Sequence, residues 1–307
     1  MNTKTIFFLL LILSATGFIS PPIALCAGLI FGLTLVHPYA ADSRALSKFL
    51  LQASVVALGF GMNLHEVLKA GRSGFIYTAL GIGFALAAGF LIGRALAVRG
   101  NTSFLISTGT AICGGSAIAA VGPILQAGSE EMAVALGTVF ILNAIALFIF
   151  PAIGAALHLS QSQFGLWAAL AIHDTSSVVG AATRYGNEAL VIATTVKLAR
   201  ALWIVPLALA TAAFKRSKSK VQMPWFIVLF CIAAVINTYG PQEPRLSQMF
   251  FQLGRLGLTV TLYLIGTGIS RVTLKEVGWR PLAQGLLLWI LVGVTSLYFI
   301  HNGWIAL

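Results

Sequence analysis

The chain has 307 residues, of which 58% are hydrophobic and only 9% are charged, whereas a soluble domain carries about 25% charged residues. This composition excludes a large soluble domain and predicts an all-α integral membrane protein, because a spanning helix needs about 20 apolar residues. The formal net charge of +11 comes from basic residues scattered over short links between apolar runs, so it indicates membrane topology rather than binding to nucleic acid.

The N-terminal apolar run, residues 5–19, follows Lys4 and has about the length of a signal-peptide core. No clear small-residue cleavage site follows it, and a turn at Pro21 and Pro22 leads into a second apolar run. We therefore interpret the two runs as a helical hairpin, with a cleaved signal peptide as the alternative. In total, nine apolar segments are predicted to span the membrane: residues 5–19, 23–36, 46–62, 75–98, 131–157, 187–214, 225–239, 246–269 and 282–300.

Two further segments, residues 101–128 and 161–185, are predicted to be interrupted helices. The first contains adjacent Gly114 and Gly115, and glycine is a poor helix former. The second contains five polar residues in succession, from His173 to Ser177. Each segment is long enough for one broken spanning helix or for a re-entrant hairpin with arms of about 18 Å. They lie in the two halves, 20–157 and 161–301, of a single polytopic domain that covers residues 1–307.

The helices that follow the two interrupted segments share a weak sequence repeat. With an offset of 57 residues, Glu131, Thr138 and Val139 recur as Glu188, Thr195 and Val196. If both interrupted segments are re-entrant, the two units are inverted; if both span the membrane, they are parallel. Inverted repeats with interrupted helices near the midplane are typical of secondary transporters, and this is the architecture we expect. Most basic residues in the links lie on the cytoplasmic side if the N-terminus is cytoplasmic, which favours that orientation.

Lys197 and Arg200 are the main candidates for substrate binding. Both lie ten or more residues into an otherwise apolar helix, where a charge is costly and usually has a partner or an aqueous cavity. Because they are three residues apart, they share one helical face. The alternative is a structural ion pair, or snorkelling of the side chains toward an interface.

His173 and Asp174 are the candidates for coupling to protons or cations. Asp174 is the only carboxylate in an interrupted segment, and a neighbouring histidine can titrate near neutral pH. The alternative is that Asp174 pairs with a buried cation and caps the half-helix that follows. Thr175 and Ser176, at the start of that half-helix, are assigned to the substrate site.

The glycines of the first interrupted segment predict a further part of the substrate site. Gly114 and Gly115 let the backbone approach a ligand, and the N–H groups at a half-helix start favour an anion. Thr110, Cys113 and Ser116 could add hydroxyl or thiol contacts. The alternative is that the glycines serve close helix packing.

Other classes of function have less support. No metal or cofactor site is predicted, since Cys26, Cys113 and Cys231 each lie in an apolar run without ligand spacing. No hydrolase elbow, zinc-protease motif, P-loop or paired carboxylates occur in a suitable context, so no enzymatic activity is expected. A cation/proton antiporter and a passive anion channel stay open as alternatives to an anion transporter.

Three stretches together resemble the YeiH-type putative sulfate exporters, a family of bacterial inner-membrane proteins. They are GTAICGGSAIAAVGPIL at 109–125, HDTSSVVGAATRYGNEA at 173–189 and ATTVKLARALWIVPLAL at 193–209. The similarity extends over nearly the whole chain in the order of the spans. This chain departs from the family pattern at Gly115, where alanine is expected, and at Asp174, where glutamate is commoner.

The resemblance implies a multi-pass secondary transporter of the bacterial inner membrane that exports sulfate or a related sulfur oxyanion. The expected partners are this anion, a coupling proton or cation, the lipid bilayer and, as one option, a second copy of the chain in a homodimer.

Overall fold

The computed structural model of the protein describes residues 2–215, 225–240, 244–271, 275 and 277–305. All the regular elements in these ranges are helices, which confirms the predicted all-α class. They are α1 Thr3–Ala15, α2 Pro21–Thr34, α3 Ala40–Gly59, α4 Leu64–Ala95, α5 Gly100–Ala111, α6 Gly115–Val121, α7 Ser129–Ala156, α8 Gln161–Ala171, α9 Thr175–Tyr185, α10 Asn187–Ala201, α11 Ile204–Lys215, α12 Trp225–Tyr239, α13 Pro244–Thr267 and α14 Trp279–His301.

Five helical segments are long and apolar enough to cross a membrane, one of which, Asn187–Lys215, comprises both α10 and α11. They are Tyr77–Ala95, Glu130–Ala156, Asn187–Lys215, Arg245–Thr267 and Trp279–His301. Three other predicted spans correspond to the apolar helices α1, α2 and α12, which are shorter than the roughly 20 residues of a full crossing. The remaining one lies in α3, whose first turns carry Asp42, Arg44 and Lys48. The structure therefore supports five spans by length and composition, and the count of nine stays a prediction.

The chain divides into two compact units. The first comprises Met1–Leu68 and Pro224–Arg271, and in it α13 packs against α2 and α3. A Cβ atom on Gly28 would lie 2.2 Å from the carbonyl oxygen of Tyr263, so only glycine permits this approach of α2 to α13. In the α2–α3 link, the Tyr39 N–H donates to Nδ1 of His37 at 3.0 Å. Nε2 of His37 therefore carries the proton of the neutral ring and donates to Thr267 Oγ1 at 3.0 Å.

The second unit comprises Lys69–Met223 and Val272–Leu307. It contains both predicted interrupted segments, each of which is divided into two helices. Its core includes a cluster between α5, α6 and α7, in which Ile106, Ile118 and Val139 are fully buried. Tight packing of this cluster therefore holds the first break, between α5 and α6, in place.

One predicted span contains a break that the sequence analysis missed. Residues 187–214 form two helices, α10 and α11, which are separated at Leu202 and Trp203. Pro206 lies in the first turn of α11 and has no N–H to offer to the carbonyl four residues earlier. The Val205 N–H donates to the Leu202 carbonyl instead, at 3.1 Å. The two helices still form one apolar run, Asn187–Lys215, that is long enough to cross a membrane. The predicted span is therefore supported by length and composition, and it contains a break that was not predicted.

Candidate functional site where two helix breaks meet

The first break lies between α5 and α6, at residues 112–114. Gly114 has a positive φ of 62°, which side-chain-bearing residues rarely adopt. A Cβ atom at Gly114 would lie 3.5 Å from the Cα atom of Asp174, in the second break, and 3.2 Å from Val139 Cγ1. The two breaks therefore lie against each other in the interior of the second unit.

The second break lies between α8 and α9, at residues 172–174. Asp174 is the N-cap of α9, and its Oδ2 atom accepts hydrogen bonds from the N–H groups of Ser176 and Ser177 at 3.1 and 3.2 Å. The Ser176 hydroxyl donates to the same oxygen. The capping role that the sequence left as an alternative is therefore observed. It also explains why Thr175, Ser176 and Ser177 lie in the first turn of α9 instead of interrupting a helix.

Lys197 and Arg200 bind the C-terminal ends of the two helices that precede the breaks. Lys197 is fully buried, and its Nζ atom donates to the carbonyls of Ala169 and Ile172, at 3.3 and 2.6 Å. Both carbonyls belong to the end of α8, where the helix leaves its last C=O groups without partners within the helix.

Arg200 joins the ends of both helices. Its Nε donates to the Ala111 carbonyl at 2.7 Å, and its NH2 donates to the Thr110 carbonyl at 3.4 Å, at the end of α5. Its NH1 donates to the Leu170 carbonyl at the end of α8. Within the described residues, neither Lys197 nor Arg200 has a carboxylate oxygen within 4.0 Å, so the ion pair with Asp174 considered above is not observed.

The charges around the breaks do not cancel. Each helix end carries about half an elementary charge, negative at the ends of α5 and α8 and positive at the starts of α6 and α9, so these four contributions sum to about zero. With both basic side chains protonated, Lys197 and Arg200 contribute two positive charges, and an ionised Asp174 contributes one negative charge. In that ionisation state the crossing of the breaks, where both basic side chains are buried, carries an excess of about one positive charge.

Asn143 on α7 is a site residue that the sequence analysis missed. It is 3% exposed, and its Oδ1 accepts from the N–H groups of His173 and Asp174, at 3.1 and 3.3 Å. The 57-residue offset of the sequence repeat places Asn143 in register with Arg200. Each of these two side chains binds the break of the other half. A lone amide within an apolar helix, in register with a buried cation, was the signal that could have identified it.

Several buried polar atoms around the breaks have no hydrogen-bond partner among the described residues. They are Thr108 Oγ1, Thr110 Oγ1, Asn143 Nδ2, both ring nitrogens of His173, Thr194 Oγ1 and Thr195 Oγ1. Buried polar groups in native proteins are usually satisfied by the protein, by water or by a ligand. The set therefore indicates a place for polar occupants inside the second unit.

The predicted site residues separate into two groups. The buried group at the breaks comprises Thr110, Cys113, Gly114, His173, Asp174, Thr175, Ser176, Lys197 and Arg200. Gly115 is half-buried and Ser116 is exposed, so the Ser116 hydroxyl is not part of that group. Ser176 uses its hydroxyl on Asp174, whereas the hydroxyl of Thr110 is buried and has no partner among the residues that the structure describes.

Two cavities in the second unit lie beside successive parts of α4, one beside its middle and one beside its C-terminal end. One, of about 550 Å³, reaches Arg200 between the Tyr77–Phe84 part of α4 and the C-terminal half of α14, and its walls are mainly apolar. The other, of about 670 Å³, is lined by the 86–94 part of α4 together with α5 and α11, and includes Arg94, Ser107 and Lys215. The first cavity is the one that reaches a buried cation.

Sequence comparison provides the family. The family described as "Conserved hypothetical protein 698" matches residues 6–298, which is most of the chain. The chain belongs to this family, the UPF0324 membrane proteins. The YeiH-type family that it resembles is the same family.

Relatives within UPF0324 are similar over nearly their whole length. A UPF0324 membrane protein of Bacteroides thetaiotaomicron is 52% identical over 93% of this chain and 88% of its own length. One from Bdellovibrio bacteriovorus is 49% identical, over 94% and 91%. One from Geobacter sulfurreducens is 46% identical, over 98% and 97%. No solved structure matches this UPF0324 chain. The helical structure and the relatives together identify the chain as a membrane protein with transmembrane helices.

Proposed function

We propose that this UPF0324 protein is a secondary-active transporter that exports a small anion, such as sulfate or a related sulfur oxyanion, in exchange for or together with protons or cations. The observation that carries the proposal is the burial of two basic side chains, Lys197 and Arg200, at the crossing of the two helix breaks, beside the carboxylate of Asp174. With all three groups ionised, one positive charge is left uncompensated. A buried excess charge is costly, and a bound anion would lower that cost.

Both cations have donor capacity beyond the bonds they make. An ammonium group has three N–H donors and a guanidinium group has five, whereas Lys197 and Arg200 use two and three of them on backbone carbonyls. The remaining donors can bind an anion without breaking the contacts that hold α5 and α8. Helix ends with interrupted backbone are used in this way in other secondary transporters.

The two cavities suggest a path for the anion through the second unit. With the N-terminus in the cytoplasm, as the basic links favour, and with α1, α2 and α3 each crossing the membrane, α4 would run inward. The cavity that reaches Arg200 would then lie nearer the outer side than the other cavity does. The cavity that includes Arg94 and Lys215 then opens on the cytoplasmic side. Cations at a cytoplasmic mouth attract anions, and an outward cavity ending at Arg200 provides the exit that an exporter needs.

The proposed coupling uses Asp174. Its carboxylate caps α9 at the same crossing as the two buried cations. An anion that binds Lys197 and Arg200 screens them from Asp174, and this favours uptake of a proton by the carboxylate. The substrate and the proton are thereby linked through electrostatics, without a separate relay.

A cation/proton antiporter is the second candidate. Lys197 makes two hydrogen bonds, which a neutral amine can also donate, so the ammonium proton could be exchanged for a cation bound near Asp174. The site then carries no excess positive charge while Lys197 is neutral and no cation is bound, and the bound cation restores it.

Measurements of anion and sodium binding to the purified protein distinguish the anion transporter from the cation/proton antiporter. We expect radiolabelled sulfate or sulfite to bind to the wild type. Binding should be lost in Lys197→Gln but retained in Lys48→Gln, which removes an exposed lysine of α3. Binding of radiolabelled sodium that is displaced by protons, with no anion binding, would replace the proposal by the antiporter.

A further inference from the structure

The oxygen and the nitrogen of the Asn143 carboxamide differ in their hydrogen bonding. Its oxygen binds the N–H groups of His173 and Asp174 and so holds the second break. Its nitrogen, Nδ2, is buried and has no partner among the described residues. An amide nitrogen carries two donors, and leaving them unmet away from water is unfavourable.

Asn143 has an unsatisfied neighbour in the same break. The ring of His173 is 1% exposed, and neither of its nitrogens has a partner within the described part of the chain. Because the His173 N–H binds Asn143 Oδ1 at 3.1 Å, both side chains belong to one small region of the fold. Together they offer three hydrogen-bond donors when the imidazole is neutral.

The peptide between Ile172 and His173 connects this region to the cations. Its carbonyl accepts from Lys197, and its N–H donates to Asn143. In a trans peptide the C=O and N–H groups point in opposite directions. Asn143 therefore approaches the break from the side opposite to Lys197, and the break is lined by donors on both sides.

We propose that Asn143 contacts the transported anion, with Nδ2 donating to an oxygen of a sulfur oxyanion. This inference rests on the proposed function, since it adds a ligand to the same site. A directional amide donor matches a multi-oxygen anion better than a halide, so Asn143 contributes selectivity for oxyanions. An ordered water at Nδ2, with no contact to the anion, is the competing occupant.

The test compares two variants of Asn143 with a control on the same helix. Asn143→Asp keeps an acceptor for both backbone N–H groups but replaces the donor by a carboxylate. Asn143→Ser stays neutral, and its shorter side chain removes both the donor that reaches the anion and the acceptor for the two backbone N–H groups. Thr138→Val is the control, because the Thr138 hydroxyl is buried and satisfied by the Val134 carbonyl of its own helix at 2.9 Å.

Equilibrium binding of radiolabelled sulfate and sulfite is measured on detergent-purified protein that is monodisperse by size exclusion. We expect Asn143→Asp and Asn143→Ser each to weaken binding at least about tenfold, the effect of losing a hydrogen bond to a charged group. Thr138→Val should bind as the wild type does. Chloride should compete with sulfate more effectively in Asn143→Ser than in the wild type, because the variant loses affinity for the oxyanion but not for the halide. An equal loss of affinity for chloride would show that the break itself is disturbed and would overturn the contact.

The other outcomes are distinct. If Asn143→Ser binds with wild-type affinity and only Asn143→Asp binds more weakly, the loss is a long-range charge effect and the contact is overturned. Wild-type affinity in both variants would also overturn the contact. An equal loss in Thr138→Val would assign the effect to helix packing and overturn it as well. If the wild type binds neither anion, the proposed function fails and this inference fails with it.

Discussion

Replacement of Arg200 by leucine removes the side chain that joins the ends of α5 and α8. Two well-formed hydrogen bonds are lost, to the Ala111 and Leu170 carbonyls, together with a longer one to Thr110. Each carbonyl left buried without a partner costs roughly 1–3 kcal/mol. Leucine does not carry the desolvation cost of a buried guanidinium, and this gain offsets part of that sum. We therefore expect the free energy of unfolding to fall by about 2 kcal/mol or more.

The measurement is reversible unfolding of the purified protein in mixed micelles, followed by helical circular dichroism. Arg184→Leu is the control, because Arg184 is an exposed arginine in the last turn of α9, and it should change stability by less than about 0.5 kcal/mol. Arg200→Lys should recover part of the loss, since an ammonium group keeps the charge but not the planar fork that spans two helix ends. Equal stability of Arg200→Leu and the wild type would refute the role of Arg200 as a cap for both helices.

Four further predictions follow from the same contacts. Asp174→Asn keeps an acceptor for the α9 N-cap, so it should retain anion binding and lose the pH dependence of transport; unchanged pH dependence would reduce Asp174 to a cap. Gly114→Ala forces a side chain into a φ of 62°, which costs about 1–3 kcal/mol, and should lower the melting temperature; Gly100→Ala, where a Cβ meets open space, should not. Partial burial lowers the pKa of His37 below its usual 6.5, so the unfolded chain binds a proton more readily than the folded protein does. The free energy of unfolding is therefore highest above this usual value and falls as the pH drops below it, and the fall should be absent in His37→Gln. Single cysteines at Gly100 and Gly128, both exposed, should be labelled from the same side of the membrane if residues 101–128 form a hairpin; labelling from opposite sides would make the segment a spanning broken helix.

The sequence predicts the two helix breaks because it contains their local causes. Adjacent glycines and a run of polar residues weaken a helix wherever they occur, and Asp174 before Thr175 is a recognisable N-cap. The break between α10 and α11 had a local cause as well, in Pro206, but the apolar character of residues 187–214 concealed it. Proline within an apolar span is tolerated often enough in membrane helices that hydropathy alone does not locate a break.

The partners of the buried cations could not be predicted in the same way. Lys197 and Arg200 were identified from their cost inside an apolar helix, yet their acceptors are backbone carbonyls of α5 and α8. Carbonyls become acceptors only where a helix ends beside the cation, and this depends on how the helices cross. Asn143 was missed for the same reason, since its function depends on the N–H groups of a break that lies 30 residues away in sequence.

Transport by reconstituted protein tests the central claim most directly. Proteoliposomes loaded with unlabelled sulfate are diluted into radiolabelled sulfate, under proton or sodium gradients of either direction, with empty liposomes and Lys197→Gln as controls. The excess positive charge at the crossing of the breaks predicts protein-dependent exchange of the label that Lys197→Gln abolishes. Movement of sodium or potassium against protons, without flux of sulfate, sulfite or small sulfonates under any gradient, would contradict it.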